Sequence, residues 1–210
     1  FTRAQQDAFA IASFQRANAA QQAGQFVAEI TPVELSDAKG NITLVHQDEG
    51  PARVKYDKIP ALKPAFQKDG TITPANASSL NDGAAALVLT TAALAQARGL
   101  QPIARIVSFG SQAQDPLWFT TAPVQATQAA LAAAGWQVAD VDLWEVNEAF
   151  AAVVLKFFKD TGVDPSKVNV NGGAMALGHP IGATGAMLIG TLDDELERQD
   201  KTTGLITMCT

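Results

Sequence analysis

Three polar side chains that can act together in catalysis stand where short apolar segments give way to turns: Asn147, His179 and Cys209. A histidine titrates near neutral pH and can act as a base, a donor or a ligand. A cysteine brought beside a histidine can share its proton and become a thiolate for nucleophilic or acid/base work. An asparagine amide can donate a hydrogen bond, directly or through water, to a developing oxyanion. The three residue types suit chemistry in which a thiol works beside a stabilised oxyanion.

Each of these residues also has an ordinary structural interpretation. A single buried cysteine is more often an inert small hydrophobe, and an asparagine before a helix is more often a cap. Glycine-rich turns before helices are common, so spacing alone does not make His179 functional. His46 lies in a polar stretch and is interpreted as a solvated surface residue. The chemistry therefore depends on whether the fold brings the three segments together.

The second part of the chain predicts a layered, parallel-rich α/β core. From residue 82 onwards, apolar runs alternate with helical patterns, several of them closed by glycine. Buried strands are predicted near residues 83–90, 103–109, 143–146, 168–170 and 204–209. In such folds sites lie at the ends of strands, where Asn147, His179 and Cys209 are expected.

The first third of the chain has little dense apolar sequence. The pattern predicts a helix over residues 3–23, an extended segment over 26–35 and a short strand at 42–45. A polar, proline-punctuated stretch follows, with a short helix predicted at 59–62. This part is interpreted as an excursion over a larger core.

Residues 171–186 form a glycine-rich link from a predicted strand to a predicted helix. Glycine allows backbone to approach a ligand closely, and a helix start offers unpaired N–H groups. Within it, residues 178–186 (Gly-His-Pro-Ile-Gly-Ala-Thr-Gly-Ala) closely resemble a signature of the thiolase family. Residues 76–86 resemble the family's Asn-Ala-Ser segment and residues 147–150 its Asn-Glu-Ala-Phe segment. Met208-Cys209 is similar to the start of its C-terminal cysteine motif, so the resemblance covers essentially the whole chain.

The resemblance implies part of a thiolase-like layered α-β-α core, preceded by part of the loop domain. Residues 1–81 would be the end of the loop domain that covers coenzyme A. Residues 82–102 would be the last part of the N-terminal core domain, and residues 103–210 an incomplete C-terminal core domain. The family's nucleophilic cysteine lies in its N-terminal half, whereas no cysteine precedes Cys209 here, and the glycines that usually follow the second cysteine are absent. We therefore expect a missing N-terminal portion of the same subunit and further chain after the last residue.

The activity implied by the resemblance is an acyltransferase reaction of fatty acid metabolism. It is the Claisen condensation of acyl-CoA thioesters such as acetyl-CoA to a 3-ketoacyl-CoA, or the reverse thiolysis. A cysteine outside this chain would carry the acyl group. His179 would activate that nucleophile and help hold a thioester oxygen, and Asn147 would position a water in the same oxyanion site. Cys209 would remove the α-proton of acetyl-CoA, or protonate that carbon in thiolysis.

Four further residues are implied in binding coenzyme A. Arg53 and Lys58 would meet the nucleotide and its phosphates, although their spacing alone marks only solvated surface cations. Ser78 would hydrogen-bond the pantetheine arm, and Phe66 would pack along it. Coenzyme A thioesters would be substrates, so no resident cofactor is expected.

No metal site is expected. Some members of the family bind potassium near residues 76–86 through a tyrosine and backbone carbonyls. Phe14 stands at the tyrosine position here, and Pro74 interrupts the carbonyl segment, which argues against that site.

Composition narrows the environment and the partners. The net charge of -6 argues against a general nucleic-acid surface. No apolar run approaches the length of a transmembrane helix, so no membrane partner is expected. A single cysteine excludes an internal disulfide and is consistent with a reducing compartment. We expect a cytoplasmic protein, or a mitochondrial one in a eukaryote. We also expect a dimer or tetramer, in which missing chain or a partner subunit covers the apolar strands.

Two alternatives remain at this point. A thiolase-like module could bind coenzyme A or a partner without turnover, since the nucleophilic cysteine is outside the chain. A dinucleotide-binding domain is disfavoured, because no Gly-x-Gly-x-x-Gly pattern follows the relevant strand.

Overall fold

The computed structural model describes residues 1–209, which form seven α-helices and four short β-strands. The helices are α1 (Arg3–Gln22), α2 (Gly50–Arg53), α3 (Ala92–Ala97), α4 (Ala122–Ala134), α5 (Ala151–Thr161), α6 (Ala174–Leu177) and α7 (Ile181–Arg198). The strands are β1 (Val33–Ser36), β2 (Ile42–Val45), β3 (Leu143–Val146) and β4 (Gly204–Thr207). Four 3-10 helices lie at Tyr56–Ala61, Pro116–Thr121, Val138–Asp140 and Pro165–Lys167.

The pair formed by β3 and β4 is the sheet that matters for the site. The two strands are parallel, in a register that runs from Leu143 opposite Gly204 to Val146 opposite Thr207. On the other edge of β3, Val168 forms a single parallel bridge with Trp144. The prediction of parallel strands is confirmed for these two segments, whereas 168–170 provides one bridge rather than a strand.

The main core lies between this sheet and helices α4 and α5. All four residues of β3 are buried, as a strand covered on both faces requires. The ring of Trp144 packs edge-on against Phe157 of α5 at a centroid distance of 5.8 Å. The cluster is completed by Val124, Leu131, Val141, Val146, Val154, Val163 and Val168. This packing fixes the position of the carboxyl end of β3.

The strands predicted at 83–90 and 103–109 are wrong. Neither segment pairs with a strand in the part of the chain that the structure describes, and their apolar side chains are exposed: Val88 by 96% and Phe109 by 87%. A strand forms only where a neighbouring backbone accepts and donates its hydrogen bonds, and apolar composition does not provide that neighbour. A large apolar surface is exposed here, formed by Leu80, Leu87, Val88, Leu89, Leu94, Leu100, Ile103, Ile106, Val107 and Phe109.

The first third follows the predicted pattern with two changes. Helix α1 begins at a capping box between Thr2 and Gln5 and packs against α5 and α6. Residues 24–29 form turns rather than an extended segment, because Gly24 takes a left-handed conformation and Ile30 N–H bonds back to the Phe26 carbonyl. The helix expected at 59–62 is the 3-10 helix already given, and β1 and β2 form an antiparallel hairpin.

No helix within residues 1–209 is both long enough and apolar enough to span a membrane.

Replacing Phe157 with alanine should destabilise the protein by roughly 3–5 kcal/mol, because the side chain is fully buried against Trp144 and its loss leaves a cavity. Chemical denaturation measures the change. Lys159→Ala, an exposed change on the same helix, is the control and should alter stability by less than about 0.5 kcal/mol. An equal loss in both variants would contradict this account of the core.

A half-buried carboxyl joins the turn after α1 to helix α7. The hydroxyl of Thr191 donates to Glu29 at 2.9 Å. Burial raises the pKa of Glu29 to about 7, and the neighbouring Asp194 adds to the rise. The folded protein therefore keeps a proton on Glu29 at pH values where the unfolded chain has released it.

The free energy of unfolding should fall as the pH rises from about 4.5 to about 7, since the folded state binds the extra proton over this interval. Glu29→Gln should remove part of that dependence. Unfolding curves at several pH values test this, with Glu34→Gln on the exposed strand β1 as the control. If Glu29→Gln keeps the slope of the parent protein, Glu29 is not the group responsible.

Candidate active site

The end of β3 and the glycine-rich turn bring Asn147 and His179 into contact. Asn147 directly follows β3, and its backbone N–H continues the sheet by donating to Thr207 O at 2.9 Å. His179 lies between α6 and α7, and its Nε2 is 3.3 Å from Nδ2 of Asn147. Asn147 is 1% exposed, so its amide is held in a nearly dry environment.

The hydrogen bonds of Thr184 define the tautomer of His179. Nδ1 of the ring lies 2.7 Å from Oγ1 of Thr184, whose hydroxyl donates to the Pro180 carbonyl at 2.9 Å. Because that hydroxyl proton is used, the threonine oxygen accepts from Nδ1–H, and Nε2 is left with its lone pair toward the Asn147 amide. Burial lowers the pKa of His179, which favours the neutral ring.

The backbone of the turn that carries His179 packs closely against residues 76–86. Gly178 has a φ of +96°, a backbone conformation that favours glycine. A Cβ at this position would also overlap the side chain of Asn81. The next residue, His179, donates its backbone N–H to Ser79 O at 3.2 Å. The Asn-Ala-Ser segment thus supports the histidine directly.

The same segment also supports the residues after Asn147. Ala77 forms an antiparallel bridge with Phe150, and Ser78 donates to Ala149 O from both its N–H, at 3.0 Å, and its hydroxyl, at 3.3 Å. Phe66 packs edge-on against Phe150 at 6.4 Å while its ring remains 72% exposed. Two of the four residues predicted to bind coenzyme A, Ser78 and Phe66, therefore lie beside the Asn147 segment.

Cys209 lies at the same end of the sheet as Asn147. It follows β4 by two residues, as Asn147 follows β3 by one, and its buried side chain packs with Ala149 and Val153. Burial raises the pKa of its thiol, so the protonated form predominates at neutral pH. A groove of about 740 Å³ opens beside it, lined by Gly110, Ser111, Gln112, Ala113, Gln114, Pro116, Phe119, Ala122, Ala126, Ile206, Thr207, Met208 and Cys209.

Arg53 and Lys58 lie on exposed surface rather than among these residues. Arg53 ends α2 and pairs with Glu49 at 2.9 Å, with most of its side chain in solvent. Lys58 lies in the 3-10 helix Tyr56–Ala61 and is exposed. Within residues 1–209 neither side chain bonds to Asn147, His179, Ser78 or Cys209, so a role at phosphates stays a prediction.

Sequence reasoning gave no role to Thr184 or Glu148. Both residues lie inside the motifs that resemble those of the thiolase family. For Thr184 the only signal in the sequence was a hydroxyl side chain five residues after the histidine, in the first turn of the following helix. Glu148 is 1% exposed and bonded to three separate segments, and no local pattern predicts such partners.

Within the described residues there is no group of three or more His, Cys, Asp or Glu side chains placed to hold a metal ion. Phe14, at the position relevant to potassium, packs in an apolar cluster with Ala151 and Met175.

Comparison with known proteins identifies the family. A model of the thiolase N-terminal domain matches residues 1–93, and a model of the thiolase C-terminal domain matches residues 100–210. The chain belongs to the thiolase family. The domain boundaries expected at 81/82 and 102/103 are finer than these matches and stay predictions.

Curated relatives of this thiolase chain share about half of its residues. Acetyl-CoA acetyltransferase of Rhizobium meliloti is 52% identical over 209 residues, and that of Paracoccus denitrificans is 49% identical over 209 residues. Both alignments cover 99% of this chain and 53% of the relative. The chain therefore spans about half the length of the curated relatives it matches.

The thiolase fold is also shown by structure. The crystal structure of the Bacillus anthracis acetyl-CoA acetyltransferase superposes with a TM-score of 0.96 at 41% identity, over 100% of this chain and 53% of that one. The expected fold class is confirmed, although three of the five expected strands do not form within residues 1–209.

Replacing Thr184 with valine should release the tautomer of His179, because valine keeps the size of the side chain but cannot accept from Nδ1–H. Nitrogen-15 NMR of the imidazole should then show Nδ1 and Nε2 sharing the proton. Thr184→Ser, which keeps the hydroxyl, should preserve the Nδ1–H form. A valine variant with an unchanged spectrum would show that another group sets the tautomer.

Proposed function

We propose that this chain is part of an acetyl-CoA C-acetyltransferase, which joins two acetyl-CoA molecules or cleaves a 3-ketoacyl-CoA. The observation that carries the proposal is the contact between Asn147 Nδ2 and His179 Nε2, with Nδ1 occupied by Thr184. Because Thr184 occupies Nδ1, Nε2 is the ring nitrogen that can exchange a proton. It lies beside the Asn147 amide, at the end of the sheet that also carries Cys209. The relatives named acetyl-CoA acetyltransferase support acetyl-CoA as the substrate.

In the proposed acylation step, a cysteine outside this chain attacks the thioester carbonyl and the thiolate of coenzyme A leaves. His179 Nε2 takes the proton of the attacking thiol and returns it to the departing thiolate. While protonated, Nε2–H can donate to an oxyanion. A neutral ring with Nδ1–H, which the contacts of Thr184 indicate, is the form that can begin this sequence.

In the proposed condensation step, Cys209 gives its thiol proton to Nε2 of His179 and, as thiolate, removes the α-proton of a second acetyl-CoA. The enolate carbon attacks the acyl carbonyl, a carbon–carbon bond forms, and the nucleophilic cysteine leaves as thiolate. The enolate oxygen is stabilised by His179 and by a water positioned by Asn147. Oδ1 of Asn147 is buried and bonds to no protein group within residues 1–209, so it is available to that water.

For coenzyme A we propose that Ser78 bonds the pantetheine arm, that Phe66 packs along it, and that Arg53 and Lys58 meet the phosphates. The position of Ser78 and Phe66 beside residues 147–150 supports the first two assignments. The exposure of both cations leaves them accessible to a phosphate.

We further propose a dimer or tetramer that works in fatty acid metabolism, in the cytoplasm or the mitochondrial matrix. The exposed apolar side chains between residues 80 and 109 support association, since an apolar surface of that extent is normally covered. The single cysteine is compatible with a reducing compartment.

The roles of Cys209 and His179 can be separated in the complete protein that contains this chain. Cys209→Ser should still acquire the acyl group but lose exchange of the acetyl-CoA α-proton and condensation, because a serine hydroxyl is a far weaker base than a thiolate. His179→Ala should slow both steps, by roughly 10²–10³ if one oxyanion donor is lost. Mass spectrometry of the trapped acyl-enzyme and deuterium exchange measure the two steps.

The reverse pattern, in which Cys209→Ser cannot be acylated and His179→Ala is acylated normally, would invert the assignment. A complete protein that binds acetyl-CoA and never forms an acyl-enzyme would favour the alternative of a non-catalytic thiolase-like module.

A further inference from the structure

Glu148 carries a buried carboxylate and directly follows Asn147 in the sequence. Its Oε2 accepts from the Ser13 hydroxyl at 2.6 Å and from Met175 N–H at 3.2 Å, and its Oε1 accepts from Asn169 Nδ2 at 2.9 Å. The three donors come from α1, from the turn after Val168 and from the first turns of α6. One side chain therefore joins helix α1 to the segment that leads from Asn169 into α6, which is far from α1 in the sequence.

The orientation of these donors shows that the carboxylate only accepts. The Ser13 oxygen already accepts Gly173 N–H at 3.1 Å, so the serine proton points to Glu148. Asn169 accepts Val146 N–H through Oδ1 at 2.8 Å, which turns its NH₂ group toward Glu148. Burial raises the pKa of Glu148, and the hydrogen bonds from Ser13 and Asn169 oppose that rise. A protonated acid would place a fourth proton among groups that are all donors.

These bonds close a ring that contains both site residues. Starting at Asn147, the chain passes to Glu148, whose side chain bonds to Met175 N–H at the start of α6, and α6 leads directly to Gly178 and His179. From His179 the path returns through its N–H to Ser79 O, and then from Ser78 N–H to Ala149 O. Removing Glu148 opens the ring on one side.

The packing around the carboxylate leaves no room for adjustment. A Cβ at Gly173 would overlap the Glu148 side chain, so the turn before α6 lies directly against it. Asn169 also bonds both the N–H and the carbonyl of Val146, at 2.8 Å each, which ties Glu148 to the end of β3. A displacement of the carboxylate is therefore transmitted to the residues on either side of the site.

We propose that Glu148 is a positioning residue, whose carboxylate, held by Ser13, Asn169 and Met175, sets the separation between Asn147 and His179. The proposal rests on the proposed function for its kinetic consequence, but its geometric content can be measured without turnover. Glu148 is not expected to touch substrate, because it is 1% exposed and its carboxylate is held by Ser13, Asn169 and Met175.

The sign of one NMR measurement separates positioning from simple electrostatics. Glu148→Gln keeps the shape of the side chain and removes the negative charge. Charge loss alone would lower the pKa of His179, since an anion that favours imidazolium is gone. If Asn147 instead withdraws from Nε2, the imidazolium no longer faces an N–H donor and the pKa of His179 rises. We expect a rise, and a fall or no change would overturn the proposal.

The control is Glu195→Gln in α7. Glu195 is also a buried carboxylate, and it accepts from the side chain of Asn171 at 2.7 Å, but it bonds neither site residue. Its replacement should lower stability without changing the titration of His179. The resonance is assigned by its loss in a His179→Asn variant.

Kinetics of the complete protein give a second test. Glu148→Gln should lower kcat by roughly 10–100-fold, the size expected when a supporting hydrogen bond of a catalytic group is lost, with KM little changed. Ser13→Ala, which removes one of the three donors, should act in the same direction and more weakly. The double variant should be no worse than Glu148→Gln alone, because both changes break one network. Fully additive effects would show that Ser13 and Glu148 act independently.

The two proposals fail in distinguishable ways. A complete protein without acyl transfer would refute the proposed function, and the His179 titration would still decide the role of Glu148. Normal acyl transfer with kcat unchanged in Glu148→Gln would refute the positioning role alone.

Discussion

The parallel pairing of β3 with β4 is the constraint from which the site follows. Because parallel strands end at the same edge of a sheet, the register of Val146 with Thr207 places the residues after both strands side by side. Asn147 and Cys209 lie 62 positions apart in sequence, yet Cys209 packs against Ala149, two residues after Asn147. The pairing is held by the packing of Trp144 and Phe157, so the site depends on a core that contributes no catalytic group.

The histidine reaches this edge by a different route. A four-residue helix, α6, and the left-handed Gly178 turn the chain so sharply that His179 faces back toward the end of β3. Hydrogen bonds hold the turn in place, and Ser79, Thr184 and Glu148 each fix a part of it. In an environment with little water, such bonds are strong when complete and costly when one partner is lost. This arrangement gives the imidazole one defined tautomer.

The structure divides into a well-packed half and an exposed half. The sheet with α4, α5 and α7 buries its apolar residues, whereas the extended segments around Val88 and Phe109 leave theirs in solvent. Burial of apolar side chains is the main stabilising contribution in a domain of this size, and exposed apolar surface contributes nothing to it. The exposed segments therefore have the apolar composition of core strands, but within residues 1–209 no neighbouring strand pairs with them.

The sequence by itself determined the family, the approximate bounds of α1, β3 and β4, and the identity of the candidate residues. These features are local: helix periodicity, capping residues and ordered motifs are all written within a few consecutive positions. Only the tertiary structure decided that residues 83–90 and 103–109 have no strand partner within residues 1–209, that His179 donates through Nδ1, and that Glu148 joins three segments. The physical reason is that strand pairing and buried hydrogen bonds depend on groups from distant parts of the chain, and a local pattern does not specify which of them will meet.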